Sequence, residues 1–146
     1  MERQFDVHTI GLIFTTQASL SIAGTALRHR ERSGAQALGL TMLSISMWSL
    51  ACVFEANAVT IPLKLLWSQI AYIGTVSLPV FMLIFTAQFV QRDQWLTLTN
   101  LALLWVIPAI TLLLAATNGQ HGLIWSSFKV ASETRHIVIY HRGPWF

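Results

Sequence analysis

The chain has 146 residues, of which 54% are hydrophobic and 10% charged, with a formal net charge of +3. Soluble domains carry about 25% charged residues, so this composition argues against an ordinary soluble domain. The basic residues form no stripe interleaved with aromatics, so no nucleic-acid partner is expected.

Four uncharged apolar stretches fill most of the chain: Val7–Leu27, Gly34–Phe54, Leu65–Val90 and Leu96–Ala116. An α-helix rises about 1.5 Å per residue, so about 20 residues cross the ~30 Å hydrocarbon core. The expected fold is an all-α membrane protein. Its four transmembrane helices occupy residues 1–116, and residues 117–146 form an extracytoplasmic loop with a short β-hairpin, leading toward a missing fifth helix. The expected location is the plasma membrane, with the lipid bilayer as surrounding medium.

The amino terminus, Met1-Glu2-Arg3-Gln4-Phe5-Asp6, lacks the positive region of a signal peptide. The first apolar run is also long for one, so a retained helix is expected despite the small residues Gly24-Thr25-Ala26. Gln17, Ser21, Gly24 and Thr25 recur at helical spacing and mark the expected packing face of this helix. The next connection holds Arg28, Arg30 and Arg32. Arginines concentrated in a short loop mark the cytoplasmic side, which puts the amino terminus outside.

The second helix carries Ser44, Ser46 and Ser49 on no single face, and the lone cysteine, Cys52, as a small packing residue. One cysteine makes no intrachain disulfide. Glu55 follows this run, and Lys64 lies nine positions on, past Pro62. A carboxylate near membrane depth is costly and draws attention. Three readings stay open: a structural ion pair with Lys64, a ligand-sensing pair, or a proton-coupling carboxylate. Pro79 and Pro108 fall inside the third and fourth helices. Each removes a helix hydrogen bond, making it a static kink or a hinge. Trp67, Trp95 and Trp125 lie near predicted helix ends, where indoles favour the headgroup interface.

The tail reads as strands at Phe128–Val130 and Ile137–Tyr140 around a polar turn, Ala131–His136. His121, His136 and His141 lie here without metal-ligand spacing, so no metal and no cofactor are expected. No nucleophile elbow, phosphate loop or paired catalytic carboxylates occur, so no enzyme active site is expected.

Several pieces occur in a recognisable order. Trp48-Ser49-Leu50 precedes Glu55. The run Lys64-Leu65-Leu66-Trp67-Ser68-Gln69-Ile70-Ala71-Tyr72-Ile73-Gly74 precedes Pro79, and Phe85 and Phe89 follow. Ile107-Pro108 comes next, then Thr117-Asn118-Gly119-Gln120-His121-Gly122-Leu123-Ile124-Trp125, and Gly143-Pro144-Trp145-Phe146 closes the series. From about Arg32 to Phe146 the chain resembles the seven-helix amino-terminal membrane region of bacterial and archaeal sensor histidine kinases, found also before some diguanylate cyclases. The resemblance implies a sensory input module whose partner is a signalling output domain or a second copy of the chain. The chain departs from the pattern in lacking the last three helices and any phosphoacceptor box. Glu55, Lys64, Tyr72 and His121 match motif positions and are the candidate signal-binding residues, with Pro79 and Pro108 as candidate hinges. Two other readings stand beside it: a small transporter or channel subunit using Glu55, and a ligand-free membrane scaffold.

Overall fold

The computed structural model describes residues 7–130 and 138–145, with the backbone alone described at 127–130, 138–140 and 142. Four long helices, α1 (Val7–Arg28), α2 (Ala35–Asn57), α3 (Ile61–Phe89) and α4 (Leu98–Ala116), run antiparallel in chain order. All four are long and apolar enough to cross a membrane. A one-turn helix, α5 (Asn118–His121), follows, then strands β1 (Trp125–Val130) and β2 (Val138–Arg142). The strands pair antiparallel, Phe128 opposite Tyr140, with an irregularity between Trp125 and Ser127. The hairpin therefore exists and starts earlier than the sequence indicated. Its turn and His136 lie outside the described residues.

Local chemistry sets the helix boundaries. Gly34 caps α2 at φ +80°, where a side chain would be strained, and a Cβ there would also stand 3.3 Å from the Phe85 ring. Helix α3 begins ahead of its apolar run because Thr60 and Pro62 form a ready N-terminus. Helix α4 begins at Leu98 because the Thr97 hydroxyl accepts from Asn100 N at 3.3 Å. Asn100 Nδ2 also donates to Trp95 O at 2.6 Å, which ties the preceding short 3₁₀ turn to α4.

The bundle is packed with small residues. Helix α2 lies between α1 and α3. Its buried positions are Ala37, Gly39, Thr41, Ser44, Ser46, Ser49 and Ala51. Large apolar side chains such as Phe14, Leu103, Ile107 and Leu113 point outward. Hydrocarbon tails solvate those groups as well as a core would, so close backbone approach decides what goes inside. Gly74 shows this: a Cβ there would fall 2.6 Å from Ser44 O and 2.9 Å from Trp48 N. Four of the buried hydroxyls bond back along their own helix: Thr16 to Leu12 O (2.9 Å), Thr41 to Ala37 O (2.8 Å), Ser44 to Leu40 O (3.0 Å) and Ser46 to Leu43 O (2.9 Å).

One sequence expectation changes, and one gains its physical reason. The packing face of α1 is Thr9, Leu12, Thr16, Ser19, Ala23 and Ala26. Gln17, Ser21, Gly24 and Thr25 are exposed, and Ser21 and Thr25 bond back along α1. Small residues lie on both faces of this helix, so their spacing alone could not choose between them. The three serines of α2 share no face because α2 has a neighbour on either side, and all three are buried.

Candidate functional site

The ends of the bundle differ in chemistry. One end carries the arginine loop between α1 and α2. The other carries the α2–α3 corner and the α5–hairpin segment, and it holds all four candidate signal-binding residues.

At the α2–α3 corner, Lys64 is buried in the first turns of α3. Its Nζ donates to the main-chain oxygen of Glu55 at 3.0 Å, and Ala58 N donates to the same oxygen at 3.2 Å. The last carbonyls of a helix lack intrahelical partners and carry partial negative charge. Lys64 therefore acts as a cross-helix cap on the C-terminus of α2. The contact recorded between the two residues thus involves the Glu55 backbone. The Glu55 side chain is half-buried. One turn away, Phe54 and Trp67 stack with ring centroids 4.4 Å apart, which fastens the corner on its lipid side.

A second cluster lies between α3, the end of α4 and the following loop. Ala115, Ile124 and Trp125 are buried together, with Leu65, Tyr72 and Leu114 against them. Trp125 meets Tyr72 edge-on at 5.3 Å between centroids. Trp125 is thus a packing residue rather than an interfacial anchor. Gln69 Nε2 donates to Ala115 O at 3.0 Å and joins α3 to the last turn of α4.

Asn118 builds the loop that delivers Trp125. It is buried, and its Oδ1 accepts from Ile124 N (2.9 Å) and Trp125 N (3.0 Å). Its Nδ2 donates to Trp125 O at 3.0 Å. One side chain thereby bonds three backbone groups of the buried loop. Gly122 turns the chain at φ +62°. The closing Gly-Pro-Trp segment docks on this loop: Gly143 N donates to Ile124 O (2.8 Å) and Trp145 N to Leu123 O (3.1 Å). Trp145 Nε1 reaches Thr111 Oγ1 of α4 at 3.2 Å.

His121 is exposed, but both ring nitrogens are engaged. Nδ1 accepts from Leu123 N at 3.1 Å, which places the proton on Nε2, 3.0 Å from Thr117 Oγ1. Thr117 Oγ1 in turn donates to Leu113 O at 2.7 Å. The structure therefore brings the four candidates to one end in separate settings. Lys64 meets Glu55 at the corner, Tyr72 meets Trp125, and His121 braces its own turn. Sequence reading missed Asn118 and Gln69. The Asn-Gly pair is a turn signal, but it does not reveal which amide is buried.

Pro79 is exposed and Pro108 is buried. Both helices continue through their prolines. Phe81 meets Trp105 edge-on at 5.6 Å, which puts the two prolines at nearly one depth of the α3–α4 pair.

A family model described as the N-terminal 7TM region of histidine kinase matches residues 11–146. The chain belongs to that family. The match reaches back into α1, beyond the segment that carried the motif resemblance. No curated protein and no solved structure matches the chain. Membership makes this a membrane-embedded sensory region of the histidine-kinase type, and the family is defined by its sensory region rather than by a catalytic one.

Proposed function

We propose that this chain is the input module of a histidine-kinase-type receptor that reads its signal at the hairpin end, outside the cell, and passes it on by moving α4 against α3. The arginine loop then faces the cytoplasm, in keeping with three arginines in one short connection. Residues 117–146 form the extracytoplasmic loop beyond the helical region 1–116. The partner is a signalling output domain or a second copy of the chain.

The single observation that carries this reading is the seating of Trp125 on Tyr72 by the Asn118 loop. It links the segment most accessible from outside to a helix that crosses the membrane. A signal acts by binding two packings unequally, so a contact between loop and helix is where it gains leverage. Pro79 and Pro108 each leave a carbonyl without its helical donor, and their common depth gives the pair one place to bend. Glu55, Lys64 and His121 surround the same end and are the other candidate contacts for the signal.

The test is phosphorylation output from the parent receptor in membranes. Tyr72→Ala and Trp125→Ala should each change the response to stimulus at unchanged membrane abundance. An unaltered response in both variants overturns the coupling route. Glu55→Gln should also shift the response without affecting insertion, and a wild-type response would remove Glu55 from the proposed site.

A further inference from the structure

The arginine end carries an open apolar groove between α1 and α2. Ser21, Ile22, Thr25, Ala26, His29 and Leu38 line a volume of about 370 Å³. Both hydroxyls in that lining are committed to α1: Ser21 Oγ donates to Gln17 O at 2.9 Å and Thr25 Oγ1 to Ser21 O at 3.0 Å. The groove wall is therefore hydrocarbon in character and suits an alkyl chain.

Charge gathers beside this groove. His29, part of its lining, sits between Arg28 and Arg30, with Arg32 two residues on, and all three arginines are exposed. His29 Nδ1 lies 3.6 Å from Glu31 Oε1. The loop's carboxylate thus faces His29, and among the described residues no carboxylate lies within salt-bridge distance of the three guanidinium groups. The loop is fixed in place, because Ser33 Oγ donates to Gln88 O at 3.2 Å and Gly34 lies against Phe85.

We propose that this groove seats an acyl chain of an anionic phospholipid, with the headgroup phosphate held by Arg28, Arg30 and Arg32. Charge complementarity selects the occupant. Guanidinium forks match phosphate oxygens, and basic sites between helices at the membrane surface bind anionic headgroups. A zwitterionic lipid brings its own cation to the arginines and loses that advantage. Topogenic arginines alone would explain the charge but not the groove beside it. The lipid would bridge α1 and α2 at the end opposite the hairpin.

The test is native mass spectrometry of the full chain in a non-ionic detergent, titrated with phosphatidylglycerol or phosphatidylcholine of identical acyl chains. Phosphatidylglycerol should be retained at least roughly tenfold more tightly. Exchanging Arg28, Arg30 and Arg32 together for Gln should abolish that preference and weaken phosphatidylglycerol binding itself on the order of 100-fold, for three basic groups at an anionic headgroup. Filling the groove with Ser21→Phe and Thr25→Phe, both at exposed positions, should weaken phosphatidylglycerol binding with the arginines intact. Equal retention of the two lipids by the unmodified chain, or undiminished binding in the filled variant, would overturn the proposal. Should a variant fail to fold by circular dichroism, competition on the unmodified chain decides. Lysophosphatidylglycerol should displace the lipid and glycerol phosphate should not; displacement by glycerol phosphate would overturn the role of the groove.

Discussion

The seam between α2 and α3 and the seam between α3 and α4 are built on different principles. In the first, backbones meet directly: Gly74 leaves no room for a Cβ beside Ser44 O and Trp48 N. In the second, side chains bridge a gap. Gln69 reaches Ala115 O, Phe81 meets Trp105, and a cavity of about 290 Å³ lined by Leu66, Ile70, Ile73 and Leu112 lies near the Gln69 contact. The apolar window of α2 is 39% buried in the bundle and that of α4 is 11% buried. Close small-residue packing holds one arrangement, because any shift brings backbones into collision. A seam of a few long side chains admits more than one. The three helices α1–α3 are thus the closely packed part of the bundle, and the proposed movement of α4 would run along the more loosely packed seam.

The largest expected effect comes from breaking the tight seam. Gly74→Leu must push α3 off α2, since the obstructing atoms are backbone. Overpacking a close contact costs about 1–3 kcal/mol, and this site belongs at the top of that range or above it. Thermal unfolding in detergent should show the largest fall in midpoint of any single substitution proposed here. A midpoint near that of the parent would mean that the α2–α3 contact is not a fixed frame.

Asn118→Ala should rank next, with an effect confined to one end. It removes the hydrogen bonds from the Asn118 side chain to Ile124 N, Trp125 N and Trp125 O. Each buried polar group left unsatisfied costs about 1–3 kcal/mol, reduced where water can enter. Limited proteolysis should cut the 118–145 segment readily while the four helices keep their circular dichroism. Asn118→Asp keeps the two-fold acceptor and loses only the donor, so it should fall between the alanine variant and the parent. Loss of helical signal in the alanine variant would show that loop and frame are one unit.

These contrasts mark what the sequence made legible. Spans and number of helices follow from uncharged runs of bilayer length, because the cost of backbone and charge in hydrocarbon overrides local propensity. The hairpin was legible from two short strand-like runs around a polar turn. Which face of a helix packs was not. On α1 the serine and glycine at 21 and 24 and the threonine and serine at 16 and 19 are equally small, and lipid accepts either set. Within the candidate site, Lys64 stood out by its spacing from Glu55 and Tyr72 by its place in the family pattern. Their partners did not, since a main-chain oxygen nine positions back and an indole fifty-three positions on carry no sequence mark. Trp125 was noticed for a different reason, as an interfacial aromatic, and the buried amide of Asn118 is what moved it into the core.

The smallest expected effect tests the loose seam. Gln69→Leu removes the hydrogen bond to Ala115 O while keeping length and adding apolar contact along α3. That oxygen lies in the last turn of α4, where Thr117 N also donates to it, so it is not left wholly unpaired. Hydrogen bonds between membrane helices average about 0.6 kcal/mol, and the unfolding midpoint should barely move. Mobility should respond more. With its polar tie gone, the end of α4 depends on the Ala115, Ile124 and Trp125 cluster, and amide exchange across Leu112–Thr117 should accelerate several-fold relative to α2. Equal protection of the two helices would mean that packing alone fixes α4, and movement along this seam could then not carry a signal.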